Sequence, residues 1–113
     1  MSDNDSNKVL FHINDQGVAT VTLNNSEKHN AFDDIIINKL TRLFKEISLR
    51  DDIHVMVLAA AGKNFSAGAD LSWMKRMAGF SFEENLKDAS TLAKMLETLN
   101  FMPQTTIAKI QGA

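Results

Sequence analysis

The sequence contains no cysteine, which excludes disulfides, thiolate nucleophiles and cysteine-ligated zinc. It has no long apolar run either. The longest, Val55 to Ala61, is seven residues, whereas a helix needs about 20 to cross a bilayer. Met1 to Asn7 is polar and slightly acidic, without the basic start and apolar block of a secretory signal. Positive charge is not in excess: the net charge is −2, where a dedicated nucleic-acid binder carries a strongly basic balance. These absences point to a soluble protein of the cytoplasm with neither nucleic acid nor a membrane as partner.

Several reactive motifs are missing as well. Gly62 and Gly68 are followed by no Lys-Ser or Lys-Thr, so there is no phosphate-binding loop of the G-x-x-x-x-G-K-[ST] type, and no G-x-G-x-x-G occurs. The three histidines, His12, His29 and His54, are not spaced to present two imidazoles on one helical face, so no metal is expected. No G-x-S-x-G elbow supports Ser-His-Asp hydrolysis. The acidic pairs Asp33-Asp34 and Glu83-Glu84 fall in first helical turns, where carboxylates meet the positive end of the helix dipole, and Asp51-Asp52 falls in a turn. All three pairs are expected to be structural. Lys39, Arg42 and Lys45 read as a solvated helix face.

What remains is ordinary globular composition, 44% hydrophobic and 23% charged over 113 residues, enough for one modest core. Residues 1–7 are expected to be a disordered leader, and 8–113 a folded unit. Val9, Phe11 and Ile13 alternate with Leu10, His12 and Asn14. Val18, Thr20 and Thr22 alternate with Ala19, Val21 and Leu23. Two period-2 runs around Asp15-Gln16-Gly17 predict an antiparallel hairpin. Asn30, with Asp33 three residues on, predicts the cap of a helix carrying Phe32, Ile36, Leu40, Leu43 and Ile47 to about Leu49. His54 to Ala59 reads as a strand buried on both faces. A short helix is expected from about Leu71 to Met77. A second long one follows, capped by Ser81 with Glu84, bearing Leu86, Ala89, Ala93 and Leu96 on one stripe and stopped by Pro103. Thr105 to Ile110 predicts a final strand. The order β-β-α-β-α-α-β is an α/β layering with long crossovers suited to parallel pairing. The chain ends directly after an uncovered strand, which suits the N-terminal part of a longer polypeptide or a small domain with that strand at its sheet edge.

Phe65-Ser66-Ala67-Gly68-Ala69-Asp70-Leu71 joins a strand to a helix. Gly68 allows a sharp turn and close approach of a ligand, Asp70 is a candidate cap, and the N–H groups of Ala69 and the first helical turn suit a developing oxyanion. A glycine turn with an Asp cap is also a common structural connection.

Two separated segments sharpen this. Leu23-Asn24-Asn25-Ser26-Glu27-Lys28-His29-Asn30-Ala31-Phe32 resembles the L-N-R-P-x-K-x-N-A-[LF] segment of the enoyl-CoA hydratase/isomerase (crotonase) superfamily. Asn64-Phe65-Ser66-Ala67-Gly68-Ala69-Asp70-Leu71 resembles that family's F-[CS]-A-G-A-D-[LI]. Thr106 to Ala113 resembles the strand entering its glycine-rich second oxyanion loop. The likeness extends over nearly the whole chain from Val9.

The resemblance implies the N-terminal part of a crotonase-type (ClpP/crotonase-like) β-β-α superhelix that binds acyl-CoA thioesters. Coenzyme A is then part of the substrate, and no cofactor is implied. The backbone N–H of Ala69 would be one of two donors to the thioester oxygen. Lys28, His29 and Ala31, together with Ala67, Gly68, Ala69, Asp70 and Leu71, would line the CoA path. Leu71 to Met77 followed by Ser81 to Asp88 looks most like methylglutaconyl-CoA hydratases of leucine and isoprenoid degradation. The implied assembly is a homotrimer or a dimer of trimers. Asn25-Ser26 replaces the family's Arg-Pro, which implies a less rigid loop, and Gln104-Thr105 replaces its Lys-Pro. The family's second oxyanion glycine and its two glutamates match no residue here, so no general acid or base is assigned and the 113 residues alone are expected to be inactive. Isomerase or thioester hydrolase chemistry, and a non-catalytic CoA-binding or oligomerising fragment, are the alternatives.

Overall fold

The computed structural model describes residues 8–66, 68, 74–75, 78–79 and 82–112. The expected leader at 1–7, most of the expected short helix, and the Ser81 cap lie outside the described residues.

Four strands form one sheet in the order β1-β2-β3-β4. β1 (Val9–Ile13) and β2 (Val18–Leu23) make the expected antiparallel hairpin. Its turn is tightened by the Asn14 side chain, whose Oδ1 accepts from the Gln16 and Val18 N–H groups at 2.9 and 3.0 Å. Gly17 has φ +79°, and a Cβ there would lie 2.6 Å from the Asp52 carbonyl. The turn thus needs glycine for both its dihedral and its closeness to the chain entering β3. The Gly17 carbonyl accepts from His54 N–H at 2.8 Å, which fastens the hairpin to β3 (Val55–Ala60). β3 runs parallel to β2, and β4 (Thr105–Ala108) runs parallel to β3.

The register puts Val9, Phe11 and Ile13 opposite Leu23, Val21 and Ala19, and those opposite Ala60, Leu58 and Met56. One face of the sheet is therefore apolar across three strands. Helix α1 (Asp34–Ser48) covers it with Ile36, Ile37, Leu40, Phe44 and Ile47, all buried, a 3.6-residue stripe. Helix α2 (Phe82–Asn100) packs on α1 and buries Met95, with Leu92 and Leu99 partly buried beside it.

Three expectations are corrected. The cap of α1 is Asp33, whose Oδ1 accepts from Ile36 N–H at 2.9 Å; Asn30 lies outside the helix and does other work. β3 is buried only at Met56, and its remaining residues are half-buried. One side of that strand therefore lacks the second covering layer that its continuous apolar run suggested. On α2 the packed stripe is Leu92, Met95 and Leu99, while the predicted stripe is exposed, Leu86 by 56% and Leu96 by 52%. α2 is apolar over more than one face, and the position of α1 decides which face is covered. β4 is exposed along its length, as expected of a strand at the sheet edge. No helix among the described residues is long and apolar enough to cross a membrane.

Asp33 also pairs with Lys8 at 3.4 Å, tying β1 to the start of α1. Asp33→Ala removes cap and ion pair together, and Asp33→Asn keeps an acceptor for Ile36. In urea unfolding the alanine variant is expected to lose about 1–2 kcal/mol and the asparagine variant less than half of that. Equal losses in the two variants would show that the ion pair, not the cap, holds this corner.

Candidate functional site

β2, β3 and β4 are parallel, so the loops leaving their C-terminal ends gather at one edge of the sheet. This is where ligands bind in open α/β sheets. Leu23 and Ala60 are register partners, which starts the first two loops side by side.

The first loop makes a single 3₁₀ turn, Ser26–Lys28, and then two successive left-handed residues, His29 (φ 52°) and Asn30 (φ 54°). Asparagine enters this region more readily than other non-glycine residues because its short amide bonds locally. Asn30 is 1% exposed, and its side chain accounts for both polar atoms. Oδ1 accepts from Asn25 N–H at 2.8 Å, and Nδ2 donates to the carbonyls of Ala61 and Asn64 at 2.8 and 2.9 Å. The Asn30 N–H donates to the Asn25 carbonyl at 2.9 Å. The loop is thus closed through the backbone of residue 25.

The second loop is held from three directions. Ser66 Oγ donates to the Asn30 carbonyl at 2.9 Å and accepts from Gly68 N–H at 3.2 Å. Phe32 N–H donates to the Gly68 carbonyl. From the third loop, Gln111 Nε2 donates to the carbonyls of Ala60 and Gly62 at 2.7 and 3.2 Å, and Phe65 N–H donates to the Gln111 carbonyl at 2.9 Å. Gly112 has φ +73° and lies so close to the Lys63 carbonyl and Asn64 Oδ1 that a Cβ would collide with both. Asn64 Nδ2 faces His29 Nδ1 at 3.1 Å.

The structure therefore brings Lys28, His29, Ala31 and Gly68 to one loop cluster. Lys28 and His29 are exposed and Ala31 is buried. Ala67, Ala69, Asp70 and Leu71 lie outside the described residues. Sequence reasoning missed Asn30, Asn64, Ser66 and Gln111 as organisers. Asn30 and Ser66 stand inside the two motif segments, Asn64 begins the second, and Gln111 lies in the third segment, Thr106 to Ala113, which was the only available signal.

Two hollows flank the cluster. A recess of about 190 Å³ is lined by Ser26, His29, Lys63 and Asn64, with Asn30 at its base. A larger cleft of about 420 Å³ is lined by Phe32, Leu58 and Phe65 and by Leu92, Leu96 and Leu99 of α2, with Gly68 also in its lining. Its lining is apolar and contains no titratable side chain among the described residues, so it suits a hydrocarbon or acyl chain and provides no proton-transfer group. No cluster of metal-ligating side chains exists among the described residues. Away from the cluster, the Arg50 side chain bonds Asp52 bidentately and holds its carboxyl below the usual carboxylate range.

The family model for enoyl-CoA hydratase/isomerase matches residues 14–113. An enoyl-CoA hydratase of Alternaria alternata is 32% identical over 100 residues, covering 85% of this chain and 30% of the relative. A trans-2-decenoyl-[acyl-carrier-protein] isomerase of Streptococcus mutans is 29% identical over 110 residues, covering 96% of this chain and 41% of the relative. The crystal structure of an enoyl-CoA hydratase from Shewanella pealeana superposes with a TM-score of 0.90 at 40% identity, covering 93% of this chain and 39% of that one. The chain spans 30–41% of the length of these relatives.

Removing the Asn30 amide strands two carbonyls and one N–H in a partly buried place, and each such loss costs about 1–3 kcal/mol. Asn30→Ala is expected to lower unfolding free energy by about 3 kcal/mol or more, measured with urea. Asn30→Gly is expected to recover about 1 kcal/mol of this by relieving the left-handed dihedral. A loss below about 1 kcal/mol in the alanine variant would mean that water replaces the amide without cost.

Proposed function

The chain belongs to the enoyl-CoA hydratase/isomerase family, and from that premise we propose that the protein it forms part of adds water to the α,β double bond of an acyl-CoA thioester. The observation that carries this reading is the presence of Gly68 in the lining of the apolar cleft, with the His29–Lys63 recess lined by the same two loops. A thioester has those three parts: an apolar acyl group, a carbonyl to be polarised and a polar, anionic nucleotide arm.

In this reading the acyl group occupies the cleft and the thioester carbonyl meets the backbone at the glycine turn. Lys28, His29 and Lys63 lie toward the CoA arm. Water oxygen bonds to the β carbon and gives up one of its protons, and the π electrons move onto the thioester oxygen as an enolate, so that hydroxyl and proton add in sum across the double bond. The α carbon then takes a proton and the carbonyl reforms. The Ala69 N–H is the donor assigned to the enolate oxygen, because charge develops there and a fixed dipole gains strength out of water. The chain assigns no general acid or base to the water or the proton. The substrate is a branched 3-methylglutaconyl-type thioester, a choice supported by the likeness of residues 71–88 to methylglutaconyl-CoA hydratases. The reading includes a cytoplasmic protein assembled as a homotrimer or a dimer of trimers.

Isomerisation is the second reading, favoured by the isomerase among the relatives. It shares the enolate and differs in what happens to the proton.

The test assays 3-methylglutaconyl-CoA and crotonyl-CoA with one preparation of the full-length protein and of its Ala69→Pro and Ala69→Gly variants. The branched substrate is expected to show the higher kcat/KM. Proline, which removes the N–H, is expected to lower kcat by about 10²–10³, the size of one lost oxyanion donor, with glycine losing far less. Absence of hydration of either substrate overturns the activity. A folded, CoA-binding Ala69→Pro enzyme with normal kcat overturns the assignment of Ala69.

A further inference from the structure

Where α2 packs on α1, a groove of about 370 Å³ is lined by Asn38, Thr41, Arg42 and Lys45 of α1 and by Thr91 and Lys94 of α2. On α1 these residues fall three and four apart, which places them on one helix face, and Thr91 and Lys94 stand in the same relation on α2. The groove shares no lining residue with the recess or with the apolar cleft.

Three cations and no carboxylate line this groove, in a chain whose net charge is −2. Glu46 follows Arg42 by four residues and Glu97 follows Lys94 by three, the spacings at which helical ion pairs form. Among the described residues, none of Arg42, Lys45 and Lys94 makes an ion pair or a side-chain hydrogen bond. Lys45 lies in the last turn of α1, where a cation meets the negative end of the helix dipole. That accounts for Lys45 but not for Arg42, inside α1, or for Lys94, inside α2, whose last turn carries no basic residue. Like charges gathered across a helix contact repel each other, and an anion seated between them offsets the repulsion.

The lining also limits which anion fits. The Thr41 and Thr91 hydroxyls donate to the carbonyls of Ile37 and Lys87 at 2.8 and 2.9 Å, so the donors left for a ligand are the Asn38 amide and the three cations. The lining holds no aromatic side chain on which a base could stack, and none of the aromatic anchors around which a protein partner packs. Charge and N–H donors alone suit phosphate oxygens, and three cations spread over two helices call for an anion of several charges. We propose that the groove binds a linear polyphosphate group, held by Arg42 and Lys45 from one helix and by Lys94 from the other. This site is separate from the thioester chemistry proposed above, and binding there stabilises the folded chain by mass action.

The test titrates inorganic tripolyphosphate into the full-length protein by calorimetry at low, fixed ionic strength, where screening is weak. One tripolyphosphate is expected to bind per chain. Arg42→Gln and Lys94→Gln are each expected to weaken binding about fivefold, the order of one exposed charge contact. Lys94→Arg, which keeps the charge, is expected to stay within about twofold of the unmutated protein. Lys63→Gln, in the recess, is expected to leave binding unchanged. All of these positions are exposed, so the fold tolerates the substitutions. Cytidine triphosphate is expected to match tripolyphosphate within about threefold, because the lining offers a base no stacking surface. A nucleotide bound about tenfold tighter or more overturns recognition by phosphate charge alone. Absence of binding, or binding that both glutamine variants leave intact, overturns the site. A loss with Arg42→Gln and none with Lys94→Gln confines the anion to α1 and overturns the bridge between the helices.

Discussion

The buried primary amide of Asn30 is the constraint on which the rest of the loop architecture depends. Its oxygen and nitrogen reach three backbone groups on two loops, at 2.8–2.9 Å. Each bond alone contributes only about 1 kcal/mol net, but the asymmetry matters: without the amide, buried polar groups would lose partners that water cannot easily replace. The gain exceeds the cost of holding a non-glycine residue left-handed, about 1–2 kcal/mol. The parallel pairing of β2 and β3 makes the arrangement possible by ending both strands at the same edge. β4 joins through Gln111, so an exposed edge strand is nonetheless tied to the cluster at its exit.

Local features of the fold were readable where local chemistry decides them. The hairpin follows from two period-2 runs and a glycine turn, and the Asn14 side chain only reinforces what Gly17 requires. The α1 stripe follows from Ile36, Leu40 and Ile47. Reading failed where tertiary packing chose between local options. Asn30 and Asp33 are both good caps by residue type. Burial of Asn30 between two loops removed it from the helix and left Asp33 to cap. α2 offers two apolar stripes, and only contact with α1 distinguishes them.

The site was legible as a place and not as a mechanism of support. The two motif segments led to the loops that meet, and Lys28, His29, Ala31 and Gly68 are found there. The bonds that hold those loops join residues 31–51 positions apart in the chain, and no periodicity or capping pattern encodes such a pair. Ser66 illustrates the limit: a serine two residues before a glycine reads as turn chemistry, and its acceptor on Asn30 is visible only once the chain is folded.

If one amide organises the cluster, its loops must open together. The most direct measurement is native-state hydrogen exchange at the N–H groups of Asn25, Phe32 and Phe65. These bond to Asn30 Oδ1, the Gly68 carbonyl and the Gln111 carbonyl, respectively. A cooperative unit gives all three one opening free energy, and Asn30→Ala lowers the three by the same amount. Three different opening free energies, with only Asn25 responding to the substitution, would contradict the account.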